Sequence, residues 1–261
     1  MANLSGARAK IERANQHIRD LERERASFLA RDPHTVLAQY DPIREITTYF
    51  LKDMQPIPEI ISLIAGDAAH NLRTALDYVA FSLVPAGLPT RDIYFPICGS
   101  PEAYKSQSPG KTKGIPKPFK ERIDRLKPYL GGNDAFWGLH RFDIIDKHHL
   151  LITFLGQVKT LDFTIDTETF NRAFAGFLRL GPDSLPLQTA RMDAPDSLFA
   201  LKEGGVICEI AGDHETHGDV HLTFDIGIWS RIFSGVSRSF QRLLNLSIRS
   251  RASFWHLMNK G

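Results

Sequence analysis

Apolar residues recur at helical spacing in four stretches of the chain. These stretches predict helices at residues 5–30, 57–85, 134–151 and 229–258. Between the second and third helices, a loop rich in Ser, Pro, Gly and Lys precedes one short amphipathic helix that carries Phe119 and Ile123.

Elsewhere the period of the pattern is two, which is typical of strands. Two short strands are predicted around Asp41 and Pro42, and more strands within residues 152–228, with hairpins at Gly204–Gly205 and at residues 214–218. The predicted fold class is α+β, a helical bundle with a small antiparallel sheet packed beside it. We expect a single domain over residues 1–261. Its helical core would be residues 1–151 and 229–261, with residues 152–228 as a β-rich insertion.

The second predicted helix has a polar patch at its centre. The patch lies on one side of the helix and consists of Asp67, His70, Asn71 and Asp77. Leu63 and Phe81 share that side, one before the patch and one after it. A solvated face would be polar along its whole length, so the pattern indicates a buried network or a site. We expect the first three patch residues to be buried against Asp143 of the third helix.

Both helices carry a histidine and an aspartate three residues apart, which places the two side chains on one side of each helix. If the helices face each other, four side chains converge on a site for one divalent metal such as zinc or manganese. The four are Asp67, His70, His140 and Asp143. A metal-dependent enzyme is therefore one hypothesis for function.

The competing interpretation is a buried polar network without a metal. In it an aspartate fixes the tautomer of a histidine, and Asn71 satisfies backbone groups. Either Asp143 or Asp146 pairs with Lys147 or Arg73. A non-enzymatic binding or accessory protein would need no more than this.

Composition narrows the class of protein. The hydrophobic fraction is 43% and the formal net charge is +2, so overall charge does not indicate a polyanionic partner. Cys98 and Cys208 lie far apart, which predicts reduced thiols and a cytoplasmic location. No apolar run approaches the roughly 18 residues of a membrane helix, so no membrane association is expected.

One segment, residues 105–127, is locally basic and could face phosphate. The predicted substrate-binding residues are Lys111, Lys113 and Lys117 of this segment, together with Asn71 and Arg73 of the second helix. The alternative is a solvated loop followed by the short amphipathic helix.

The motifs HNLRTALD, at residues 70–77, and DIIDKH, at residues 143–148, occur in this order. The chain resembles, over roughly residues 61–151, a group of uncharacterised bacterial proteins in which HNLRxALD and DxxDKH recur. That resemblance implies no established activity.

Arg141 and His148, with six residues between them, are also similar to the Arg-x(4–6)-His element of the HEPN superfamily. That superfamily includes helical ribonucleases and nucleotide-binding proteins. The resemblance implies action on RNA or a nucleotide, with Arg141 holding phosphate and His148 assisting the attack of a ribose 2′-hydroxyl. Asp67 or Asp77 would be the acidic residue on the neighbouring helix, and a homodimer would complete the site. Three hypotheses stay open: a HEPN-like protein, a metal-dependent enzyme, and an accessory protein.

Overall fold

The structure is a computed structural model, and it describes residues 3–148, 154–166, 187–193, 204–211, 213 and 220–228. Within these residues there are five helices and six strands, which confirms the α+β class. The helices are α1 (Ser5–Leu29), α2 (Glu59–Ser82), α3 (Pro101–Lys111), α4 (Lys117–Arg125) and α5 (Asp134–His148). The strands are β1 (Thr35–Asp41), β2 (Ile46–Lys52), β3 (Phe154–Asp166), β4 (Leu187–Asp193), β5 (Val206–Ala211) and β6 (Val220–Ile228).

The chain divides into two compact units. The first contains Met1–Glu24, Glu59–Thr153 and Ile228–Gly261, and the second contains Arg25–Pro58 and Phe154–Gly227. Helices α2 to α5 belong to the first unit, and β1 to β5 to the second. The predicted single domain stays a prediction. In the described part of the chain, no helix is both long and apolar enough to span a membrane.

In the first unit α2 packs against α5, as predicted. The start of α1 lies against the end of α2, where the Tyr78 ring covers Gly6 so closely that a β-carbon at Gly6 would meet the ring at 2.9 Å. The Ser82 hydroxyl donates a hydrogen bond of 2.8 Å to the carbonyl of Asn3. The apolar positions that predicted α1 are buried at Ala14 and Ile18. The periodicity of apolar residues in the sequence therefore predicted the helices α1, α2 and α5 correctly.

The segment between α2 and α5 differs from the prediction, because α3 occupies residues expected to form a loop. Ser100 caps this helix by accepting a hydrogen bond from the amide of Ala103, and Pro101 occupies its first turn. The helix holds the extended residues 93–98 through a bond from the Tyr94 amide to the Lys111 carbonyl. The predicted amphipathic helix is α4, and its Ile123 is buried.

In the second unit, β1 and β2 form the predicted antiparallel hairpin, and β5 pairs antiparallel with the other edge of β2. A separate sheet has the order β4-β3-β6, with β3 and β4 antiparallel. The predicted turn at 204–205 precedes β5, and Gly204 has the positive φ of 75° that favours glycine. Both cysteines are free thiols, as predicted. The predicted hairpin at 214–218 and the helix at 229–258 lie outside the described residues.

Candidate functional site between α2 and α5

The two sequence motifs meet at a buried carboxylate. Asp143 on α5 has only 5% of its surface exposed, and its two oxygens have different partners. Oδ1 lies 2.9 Å from Nδ1 of His70 on α2, and Oδ2 accepts a hydrogen bond of 2.8 Å from Nζ of Lys147. Because a carboxylate only accepts, His70 carries its proton on Nδ1, and Nε2 is left as the basic nitrogen. The predicted network thus exists, with Asp143 fixing the histidine across the helix pair.

The predicted burial of the α2 patch is right for one residue and wrong for another. Asn71 is buried, and its amide donates 2.8 Å to the carbonyl of Asp67, as the network interpretation expected. Its side-chain oxygen accepts 3.2 Å from Nζ of Lys10 on α1. Asp67, in contrast, is exposed, and 41% of the His70 side chain is exposed. Asp67 faces outward because α1 and α5 flank α2 on either side of that position and neither covers it.

Arg73 fixes the extended segment 93–98 to α2. Its Nη1 donates 2.6 Å to Oδ1 of Asp77, and its Nη2 donates 3.2 Å to the carbonyl of Phe95. The Asp77 carboxylate closes the arrangement by accepting 2.9 Å from the Phe95 amide. Arg73 is buried, and both backbone groups of Phe95 are satisfied. The arginine and the aspartate of HNLRTALD therefore act as a structural clamp, and the predicted role of Arg73 in substrate binding stays a prediction.

His140 is held uncharged beside this clamp. Nε of Arg73 donates 3.4 Å to Nδ1 of His140, so that nitrogen carries no proton. Burial and the positive charges of Arg73, Lys111 and Arg141 lower the pKa of His140 from 6.5 to about 4, and the charge of Asp143 offsets them only in part. His140 is therefore a neutral imidazole at physiological pH, and it interacts electrostatically with both Lys111 of the basic segment and Asp143.

Asp146 occupies the place that a side chain at Gly66 would fill. A β-carbon built on Gly66 would overlap the Asp146 carboxylate group. Burial, and then the negative charges of Asp67 and Asp143, raise the pKa of Asp146. The negative charges of Asp67 and Asp143 thus act on a third carboxyl group, that of Asp146, and Gly66 is the residue that permits the approach of Asp146 to α2. Gly66 was not among the predicted site residues, although a glycine inside a helix is a recognisable signal of close packing.

The remaining predicted residues lie on α5 and in the basic segment. The Arg141 guanidinium stacks 5.8 Å from the centre of the Trp137 ring. Residues 141 and 148 are both in α5, seven positions apart, so a regular helix separates them by about 10 Å along its axis. The side chain of His148 is outside the described part, so its pairing with Arg141 stays a prediction.

The predicted lysines are accessible to different degrees. Lys113 and Lys117 are exposed at the end of α3 and the start of α4, and Nζ of Lys117 lies 3.9 Å from the Glu121 carboxylate. Lys111 is half-buried and donates 3.0 Å to the side chain of Gln107. Its charge acts on His140, which connects the basic segment electrostatically to α5.

Among the described residues, no group of three or more His, Cys, Asp or Glu is placed to hold a metal ion. The four ligands of the metal hypothesis separate into two sets, because His70 bonds to Asp143 while His140 bonds to Arg73. Asp67 faces solvent. The metal hypothesis therefore has no ligand set in the part of the chain that is described.

Chemically, the arrangement has the parts of a general acid–base site. A half-exposed imidazole is oriented by a buried carboxylate, a lysine neutralises that carboxylate, and a second carboxyl group of raised pKa lies beside them. Comparisons with protein-family models, with curated proteins and with solved structures found no match. Function must therefore be inferred from this geometry.

Proposed function

We propose that this protein acts on the phosphate ester of an RNA or a nucleotide, as a HEPN-like helical protein, with His70 as general base. The observation that carries the proposal is the hydrogen bond of 2.9 Å that half-exposed His70 donates to buried Asp143. In this role Nε2 of His70 takes the proton of a hydroxyl whose oxygen attacks phosphorus. The leaving oxygen departs with a proton from a general acid, a role that we assign to the Asp146 carboxyl group, whose pKa is raised by burial.

The cations near this pair support a phosphate ester as the substrate. Lys147 and Lys10 reach Asp143 and Asn71 from α5 and α1. Lys111 and Arg141 both act on His140, which also interacts with Asp143. The exposed lysines of the basic segment would extend the phosphate-binding surface, and Arg141 would hold phosphate as the HEPN resemblance implies.

Binding is tested by titrating labelled single-stranded RNA, and separately a nucleotide, at low and at moderate salt. The variant Lys111→Glu/Lys113→Glu/Lys117→Glu should weaken binding at least about tenfold and reduce the salt dependence. A matched control changes three exposed cations elsewhere by the same total charge: Arg13→Glu/Arg31→Glu/Lys52→Glu. Equal losses in both variants would indicate non-specific attraction, and no binding by the wild-type protein would favour the accessory-protein hypothesis.

Catalysis is tested with the wild type and with His70→Ala, Asp143→Asn and His148→Ala in one cleavage assay. His70→Ala should keep RNA binding and lose about 10²–10⁴-fold in rate, the usual contribution of a general base. Asp143→Asn should also slow cleavage and change its pH profile, because the amide no longer fixes the Nδ1–H tautomer. Full activity in His70→Ala with none in His148→Ala would replace this assignment by the Arg141–His148 pair.

A further inference from the structure

Large apolar side chains are exposed on one side of α2, above and below its polar centre. The exposed fractions are 45% for Ile60, 48% for Leu63, 44% for Tyr78 and 54% for Phe81. At 100° per residue these four positions fall within an arc of about 60°, and Asp67 and Thr74 lie inside that arc. We call this set the α2 stripe: Ile60, Leu63, Asp67, Thr74, Tyr78 and Phe81. Large exposed apolar residues grouped on one side of a helix are typical of an interaction surface.

The α2 stripe is symmetric about its own midpoint. Ile60 and Phe81 are equally distant from the point between residues 70 and 71, and so are Leu63 and Tyr78. Asp67 and Thr74 complete the symmetry. The pattern therefore reads apolar, apolar, polar, polar, apolar, apolar in either direction along the helix. A surface that meets an unrelated protein has no need of this symmetry, whereas a two-fold interface requires self-complementarity.

We propose that the α2 stripe is the interface of a homodimer in which α2 packs antiparallel against α2 of a second copy. A two-fold axis perpendicular to the helix, between residues 70 and 71, brings each position level with its mirror position. Ile60 then lies beside Phe81 of the second copy, and Leu63 lies beside Tyr78 of the second copy. Every apolar side chain meets another apolar side chain, over a helix length of about 30 Å.

The charges of the stripe are compatible with this packing. The Asp67 carboxylate lies level with the Thr74 hydroxyl of the second copy, which can donate a hydrogen bond to it. The two Asp67 residues stay about 10 Å apart along the axis, because seven residues separate positions 67 and 74. A parallel arrangement would instead place Asp67 beside Asp67. The polar centre therefore favours the antiparallel orientation over the parallel one.

The dimer does not depend on the proposed function, and the candidate site lies at the edge of its interface. His70 lies about 50° from the centre of the stripe, on the side of α5, where it bonds to Asp143. Asn71 lies equally far to the other side and bonds to Lys10 of α1. Both polar residues thus border the interface.

The orientation is tested by cysteine cross-linking of the full chain. In Asp67→Cys/Thr74→Cys the two new thiols are too far apart within one copy to form a disulfide, but each faces the other type in the second copy. Mild oxidation should give a covalent dimer in the double variant, and also when the two single variants are mixed. Each single variant alone should stay monomeric on a non-reducing gel. The matched control is Glu12→Cys/Arg19→Cys, two exposed positions seven residues apart on α1, which should not cross-link.

Disruption is tested by measuring the solution mass by light scattering over about 1–200 μM protein. Leu63→Glu should raise the dimer dissociation constant at least about 100-fold, since symmetry places the charge in the interface twice. The melting temperature of the dilute monomer should be unchanged. A wild-type protein monomeric throughout would overturn the proposal. In that case a loss of melting temperature in Leu63→Glu would indicate that the α2 stripe is covered within one copy of the chain. Cross-linking of either single variant alone would also overturn the antiparallel register.

Discussion

Replacement of Asp143 by alanine tests the central contact between α2 and α5. The carboxylate is 5% exposed and accepts two charge-assisted hydrogen bonds, at 2.9 Å from His70 and 2.8 Å from Lys147. Each such bond contributes about 1.5–3 kcal/mol. The two donors have 41% and 40% of their side chains exposed, so both recover water when the carboxylate is removed. We therefore expect Asp143→Ala to lower the free energy of unfolding by roughly 2–3 kcal/mol, less than for a fully buried ion pair.

Urea unfolding followed by circular dichroism measures this loss, and thermal unfolding should show a decrease of roughly 4–10 °C. The matched control is Asp92→Ala, which removes an exposed carboxylate and should change the free energy by less than about 0.5 kcal/mol. A double-mutant cycle with His70→Ala isolates the histidine contact, for which we expect a coupling of about 1–2 kcal/mol. If Asp143→Ala matches Asp92→Ala, or if the coupling is zero, the carboxylate does not hold the two helices as described.

Three further expectations concern the same site. Gly66→Ala should destabilise the protein by about 1–2 kcal/mol, because overlap with the Asp146 carboxylate outweighs the gain in helix propensity. The double variant Gly66→Ala/Asp146→Ala should recover this loss, and additive effects of the two substitutions would contradict the overlap. The pKa of His140 is 6.5 in the unfolded chain and about 4 in the folded protein, so between these pH values only the unfolded chain takes up a proton at His140. The free energy of unfolding should therefore decrease as the pH falls from 6.5 to about 4. The decline should be about 1–2 kcal/mol after solvent screening and should be absent in His140→Gln, and equal pH profiles for both proteins would refute it. Elemental analysis of protein purified without chelator should find less than one equivalent of zinc, manganese or iron; one full equivalent that is lost in His70→Ala would revive the metal hypothesis.

The sequence pattern was sufficient to predict those helices and strands whose apolar residues are regularly spaced. Helices α1, α2 and α5 and the β1–β2 hairpin were predicted close to their observed bounds, because a side chain's position around a helix or across a strand follows from residue number alone. The helix α3 was missed, because the composition of its segment is that of a loop. Its starting signal, Ser100 followed by Pro101, was present in the sequence and could have been recognised.

The neighbours of each side chain depended on tertiary structure. Spacing placed Asp67, His70 and Asn71 on one side of α2, but only the positions of α1 and α5 decide that Asn71 is buried, that His70 is half-exposed, and that Asp67 faces solvent. The partner of His70 is Asp143, seventy-three residues away, and the partner of Arg73 is the backbone of Phe95 as well as Asp77. Such pairings depend on the rotation of one helix against another. That rotation is determined by packing across the whole unit, including the contact of Asp146 with Gly66, and no local period encodes it.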